Sequence, residues 1–125
     1  MKHADELGRW LEDIFASIDA GDADAFVNFL TSDGTFRFGS APAARGQRAV
    51  HEAVAGFFAS IDGCRHVLHR TWQDDDTVVC EGDVTYRRHD GSEITLPFCN
   101  VLVLADGLIE RYSVYADVTP LYASA

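Results

Sequence analysis

The first chemical feature of this chain is a polar amide set inside an apolar run. Asn100 lies within Leu96-Pro97-Phe98-Cys99-Asn100-Val101-Leu102-Val103-Leu104, on the strand face shared by Phe98 and Leu102. A buried amide without a partner costs about 1–3 kcal/mol. Asn100 therefore either donates to a ligand carbonyl or oxyanion, or is a structural amide satisfied by a side chain or water. Asp117 is the second candidate, following Tyr115-Ala116 and preceding Val118-Thr119-Pro120. At the mouth of an apolar cavity, desolvation would raise its pKa and suit it to proton transfer near neutral pH. The competing reading is a turn cap, because Asp commonly accepts a hydrogen bond from the backbone two residues ahead.

His66, if it points inward, could act as acid or base beside Asp117; otherwise it is a half-buried histidine bonded to a carboxylate. His66 and His69 cannot share a metal ion, since residues three apart on a strand face opposite ways. His51 belongs at the solvated edge of a helix, and His3 and His89 at the surface. Cys64, Cys80 and Cys99 are odd in number and lack CxxC spacing. They read as small buried hydrophobes in a reducing compartment, so neither a metal site nor a cofactor is expected. Tyr86, Tyr112, Trp72, Phe36 and Phe38 are either plain core or the wall of a pocket. The two tyrosines are the better pocket residues, because a buried hydroxyl needs a partner.

The elements that must position these groups follow from periodicity. Leu7, Trp10, Leu11, Ile14, Phe15 and Ile18 form one apolar stripe at the helical period. Gly21 supplies a stop, and Asp22 caps a short second helix carrying Phe26, Phe29 and Leu30. A brief strand, Thr35–Phe38, runs into a Gly/Ser/Pro/Ala loop, and a third helix starts near Gln47. From Cys64 the period becomes two. Strands are predicted over Arg65–Gln73, Thr77–Arg88, Glu93–Leu104 and Leu108–Asp117, with turns at Asp74–Asp76, His89-Asp90-Gly91 and Ala105-Asp106-Gly107.

In the second of these strands Val78, Cys80, Gly82, Val84 and Tyr86 form the inward set. A three-residue turn at Asp74–Asp76 would add His66, Leu68, Arg70 and Trp72 to that face, whereas a two-residue turn would reverse the assignment. Val101 and Val103 make the third strand apolar on its outer face as well. With helices on one side only, that face needs another cover, which implies a homodimer through the outer sheet.

The chain has 125 residues, 47% of them hydrophobic and 24% charged. That is the size and composition of one globular domain, 1–125. Asp and Glu number 20 against 10 Lys and Arg, a formal charge of −10. Such a balance repels phosphate backbones and anionic lipid, so nucleic acid and membrane are excluded as partners. No apolar stretch reaches the length of a membrane span. The acidic start after Met1-Lys2-His3 is unlike a signal peptide, and a cytoplasmic protein is expected.

This order of elements resembles the nuclear-transport-factor-2-like superfamily, which includes SnoaL-like polyketide cyclases, ketosteroid isomerases and limonene epoxide hydrolases. The stretches that carry the likeness are Ile18-Asp19-Ala20-Gly21-Asp22, Arg45-Gly46-Gln47-Arg48-Ala49-Val50, and Asp106-Gly107-Leu108-Ile109 leading to Tyr112, Tyr115 and Asp117. The resemblance implies an α+β, cystatin-like fold: a curved antiparallel sheet packed on three N-terminal helices, enclosing a conical apolar pocket.

The departures narrow the chemistry. Where the isomerases carry their base this chain has Phe38, and where they carry an oxyanion-donating tyrosine it has Ile14. Their second donor falls at Asn100 or Cys99. Phe36, Phe38, Gly82 and Val84 stand where the epoxide hydrolases hold polar groups. Asp117 alone matches a family acid, that of the cyclases. The expectation is a cofactor-free acid–base enzyme of cyclase, isomerase or lyase type acting on an apolar carbonyl or cyclic substrate. Asp117 would move the proton, while Asn100 with Tyr86 or Tyr112 would orient the oxygen. The alternatives are an apolar-ligand-binding module and a dimeric accessory protein of the same fold.

Overall fold

The computed structural model describes residues 4–123; the expectation for His3 lies outside them. Helix α1 (Ala4–Asp19) is followed by α2 (Ala23–Val27), β1 (Leu30–Phe38), β2 (Ala44–Arg45) and α3 (Gln47–Ala59). Then come β3 (Gly63–Asp74), β4 (Thr77–Arg87), β5 (Glu93–Ala105) and β6 (Leu108–Tyr115), and a 3-10 turn over Thr119–Tyr122. The six strands form one curved sheet in the order β2-β1-β6-β5-β4-β3. All neighbours are antiparallel except β1 and β6, which run parallel.

The helical stripe performs as its spacing requires. Leu7, Leu11, Ile14 and Phe15 of α1 are buried, as are Val50 and Val54 of α3. They meet the inward faces of β4 (Val78, Cys80, Val84, Tyr86) and β5 (Leu96, Phe98, Leu102) to form one core. Asp22 caps α2 through its side chain, which accepts from the Ala25 N–H at 3.0 Å. Among the described residues, no helix is long and apolar enough to cross a membrane.

Strand β1 and the β3–β4 hairpin differ most from the sequence reading; in addition α2 ends at Val27, leaving Phe29 and Leu30 outside it, and the expected loop holds the short strand β2. Strand β1 begins five residues earlier than expected, at Leu30. Its pairing with β6 is interrupted between Leu30 and Thr35, so Ser32, Asp33 and Gly34 form an irregularity within the strand.

The second difference lies in the β3–β4 hairpin. Its turn has two residues: Asp74 pairs with Thr77, Gln73 with Val78 and Trp72 with Val79, and Asp75 takes φ 56°. Trp72 therefore belongs to the outer face, 47% exposed, with the Arg70 guanidinium 5.5 Å from its ring centre. It is not a pocket residue. The alternation then slips by one residue between Leu68 and Arg70. This leaves His69 as an extra residue and restores Leu68↔Gly82 and His66↔Val84 to the inner face. A bulge of this kind bends the strand and increases its twist.

Gly82 is the partner of that bulge. A Cβ at this position would lie 1.9 Å from the Val67 carbonyl oxygen and 3.0 Å from Leu68 Cα. Those atoms are backbone and cannot swing aside, so β3 can cross β4 here only because residue 82 lacks a side chain. Gly82→Ala is expected to destabilise the fold by at least about 2 kcal/mol. The check is the urea midpoint, which should fall clearly below that of the wild type.

Candidate functional site

A narrow cavity of about 40 Å³ lies between the inner sheet face and the helices. Its walls are mostly aromatic. Phe38 of β1 stacks on Phe57 of α3 at 4.7 Å between ring centres, and Phe57 meets Tyr86 edge-on at 5.7 Å. Phe36 packs against Tyr112 at 5.5 Å. Asn100, Tyr112 and His66 bring the polar groups to this lining. Of the residues singled out by sequence, Phe36, Phe38, His66, Tyr86, Asn100 and Tyr112 thus converge on one cavity, while Trp72 and Asp117 do not.

Asn100 projects inward from β5 and is 2% exposed. Its Nδ2 donates to the Tyr112 hydroxyl at 3.0 Å, and its Oδ1 has no partner. Rotating the amide by half a turn would make Tyr112 the donor and leave Nδ2 uncommitted. In either orientation the pair keeps one donor and one acceptor unspent, because a phenol hydroxyl offers both. Burial holds the Tyr112 phenol well above its ordinary range, and Tyr86 is pushed up for the same reason. Both remain neutral hydroxyls at physiological pH.

His66 is held by a residue the sequence reading did not single out. Asp19, the last residue of α1, places Oδ1 2.6 Å from His66 Nδ1, and its Oδ2 accepts the His66 backbone N–H at 3.1 Å. The imidazole is clamped between Phe15 (4.8 Å) and Phe98 (5.1 Å). Nδ1 is thus committed to the carboxylate, whereas Nε2 has no hydrogen-bond partner among the described residues. A carboxylate fixes the tautomer and orientation of an imidazole in this way. Asp19 carried one signal in the sequence. An acid in the last turn of a helix is disfavoured by the dipole, so its presence there points to a partner elsewhere.

Asp19, Cys64 and His66 are also the one group of possible metal ligands among the described residues, their donor atoms lying within 4.8 Å of one another. The three already satisfy each other, with Cys64 Sγ 3.6 Å from Asp19 Oδ1. Burial, reinforced by the Asp19 charge, pushes the Cys64 thiol up to about 12. A metal ion would have to displace protons from both the thiol and the imidazole.

Asp117 lies outside the cavity. Its carboxylate is exposed, and Oδ1 accepts the Thr119 N–H at 3.0 Å. Hydrogen bonds from the Thr119 hydroxyl and backbone hold it below the usual carboxylate range. These bonds outweigh what little desolvation the side chain meets, and the capping reading describes it. Asp117 borders an open groove of about 490 Å³ on the other side of Phe36, Phe38 and Phe57.

This architecture is shared by solved structures of low sequence identity. A putative polyketide cyclase from Xanthomonas campestris pv. campestris is 21% identical, with 89% of this chain and 90% of that one covered and a TM-score of 0.75. An epoxide-hydrolase-like protein from M. tuberculosis is 21% identical, with 88% and 81% covered and a TM-score of 0.74. A putative SnoaL-like polyketide cyclase from Jannaschia sp. CCS1 is 18% identical, with 89% and 87% covered and a TM-score of 0.76. No curated protein matches the sequence. The curved sheet on three helices is thus the nuclear-transport-factor-2-like, cystatin-like fold. Residues 11–112 match the SnoaL-like domain family, and the chain belongs to it.

The buried phenols make an alkaline prediction. Below about pH 10, Tyr86 and Tyr112 are neutral whether the chain is folded or not. Above it they ionise in the unfolded chain first, so the unfolded state binds fewer protons and stability falls with pH. The slope is about 1.4 kcal/mol per pH unit for each phenol. Absorbance at a tyrosinate wavelength should show these two ionising only together with loss of the fold. Tyr86→Phe or Tyr112→Phe should each remove one equivalent of that late step.

Proposed function

We propose that the protein is a cofactor-free acid–base enzyme of the SnoaL-like kind, acting on an apolar carbonyl or cyclic substrate. The observation that carries this reading is that an Asp-anchored histidine and an uncommitted buried amide line the same apolar cavity. His66 Nε2 removes a proton from the carbon beside the carbonyl. Asn100 or Tyr112 donates a hydrogen bond to the oxygen as negative charge gathers there, and His66 returns the proton to a carbon or an oxygen of the product. A positioned base of this type contributes about 10²–10⁴-fold, and a preorganised donor about 10²–10³-fold. Proton transfer passes from Asp117, the expected acid, to His66, with Asp19 as its positioning residue. Phe36, Phe38 and Tyr86 supply the apolar wall. The polyketide cyclase and epoxide hydrolase labels of the structural relatives support an enzyme of small apolar molecules.

Exchange of α-hydrogens of cyclic ketones such as 2-tetralone in D₂O, followed by NMR, tests this without the natural substrate. The wild type should exceed the buffer rate by at least tenfold. His66→Gln should return exchange to that rate, and Asp117→Asn should stay within twofold of the wild type. A wild-type rate equal to buffer with ketone bound would instead mark a binding module. An Asp117→Asn protein as inactive as His66→Gln would sink the reassignment.

The reading also includes a homodimer through the outer sheet face. Trp72 and Tyr115 are 47% and 60% exposed there, and Val79, Val101 and Val103 lie between their strands. Sedimentation velocity should give twice the chain mass for the wild type and the single chain for Trp72→Glu/Tyr115→Glu.

A further inference from the structure

The inner cavity and the outer groove share three phenylalanines in their walls. Phe36, Phe38 and Phe57 border both spaces. The inner one, at about 40 Å³, has room for only a few waters by the usual requirement of about 10–15 Å³ each. A cavity that takes benzene measures about 150 Å³. The groove, at about 490 Å³, falls within the range of small-ligand sites. The shared wall is soft. Its rings are half-buried and carry no polar atom to tether them, and Phe38 ends β1 just before Gly39, which takes φ 59°.

We propose that the groove is the second half of the ligand site. It takes the apolar body of a molecule whose slender polar tip passes the Phe38–Phe57 pair to reach Asn100 and Tyr112. The placement of the tip rests on the reading above; the assignment of the groove does not. The chemistry of the two spaces defines the ligand class. Besides the three phenylalanines, small and apolar residues such as Ala44, Ala53 and Ala116 dominate the groove lining; Ser40, Thr119 and Tyr122 are its neutral polar groups and Asp117 its single charged residue. No lysine or arginine lines either space. A carboxylate would meet no lysine or arginine at the inner end and a like charge at the outer one. The site therefore suits an uncharged, elongated ligand with a hydroxyl or carbonyl at its tip and a body of about two rings, set by the groove's volume. Phe38 and Phe57 then act as specificity residues that decide how much of the ligand enters.

The test uses 4-phenylphenol as the neutral probe and biphenyl-4-carboxylate as its charged counterpart, with affinities from calorimetry. Ala53 is exposed on α3, so Ala53→Trp fills the groove without touching the inner cavity. The wild type should bind the phenol at least tenfold more tightly than the carboxylate, and Ala53→Trp should weaken the phenol at least tenfold. Nuclear Overhauser contacts from the distal ring to the Ala53 and Ala116 methyls of the wild type should place the body directly, whatever the stability of the variant. Unchanged affinity in folded Ala53→Trp, absence of those contacts, equal affinity for the two probes, or no binding of the phenol at its solubility limit would overturn the proposal. Asn100→Leu separates the two readings. Loss in Ala53→Trp without loss in Asn100→Leu keeps the groove and removes the tip from Asn100.

Discussion

The placement of the histidine in the cavity wall depends on how one strand changes phase. Strand β3 enters the sheet with Cys64, His66 and Leu68 facing the helices and leaves it with Arg70 and Trp72 facing away. The one-residue slip at His69 makes both possible. Without it, a two-residue turn at Asp75-Asp76 would carry His66 outward, because shifting a strand by one residue inverts every side chain beyond the shift. His66 would then lose Asp19, Phe15 and Phe98 together. The slip in turn depends on Gly82, where the backbone of β3 comes so close that no side chain fits. A glycine in one strand and a surplus residue in its neighbour thus place a histidine in the cavity wall.

The cavity itself is a compromise between core and site. Asn100 occupies a position where leucine would pack without penalty, and its unpartnered atom carries a cost of about 1–3 kcal/mol in a group so deeply buried. Tyr112 adds a phenol that burial keeps protonated. A chain selected for stability alone gains nothing from this pair, since two apolar side chains of the same shape would be neutral or better. Unmet hydrogen-bonding capacity at the base of an apolar space is useful when a ligand completes it. The aromatic rings around it lower the local dielectric, which strengthens whatever hydrogen bond forms there.

Much of this was legible in the residues. The three helices, the four long strands and the turns at Asp106-Gly107 and Asp90-Gly91 follow from periodicity and turn chemistry, and the inward set of β4 is the predicted one. The β3 register was not, because the length of an Asp-Asp-Asp turn is ambiguous and a bulge leaves no mark on the alternation. Of the two apolar–polar anomalies, Asn100 announced itself by its neighbours. Asp19 showed only the weaker mark of an acid at the end of a helix, which does not say where the partner is. Its meaning depends on His66, more than forty residues away, and pairing at that range is a property of the fold.

Asp117 shows why residue type and position along the chain do not establish an acid. Acid–base chemistry near neutral pH requires a carboxyl whose charged form is penalised, and burial is the ordinary source of that penalty. At Asp117 the two environmental effects point the other way. Water reaches the side chain, and hydrogen bonds from Thr119 favour the ionised form. His66 offers a ring nitrogen in place of a carboxylate. What it needs is a fixed tautomer and a ring held in place. Asp19 supplies the first through Nδ1, and the Phe15–Phe98 clamp supplies the second. On the proposed reading, proton transfer therefore falls to the imidazole in the cavity wall and not to the solvated carboxylate at the groove, where Asp117 would act only on the charge of a ligand.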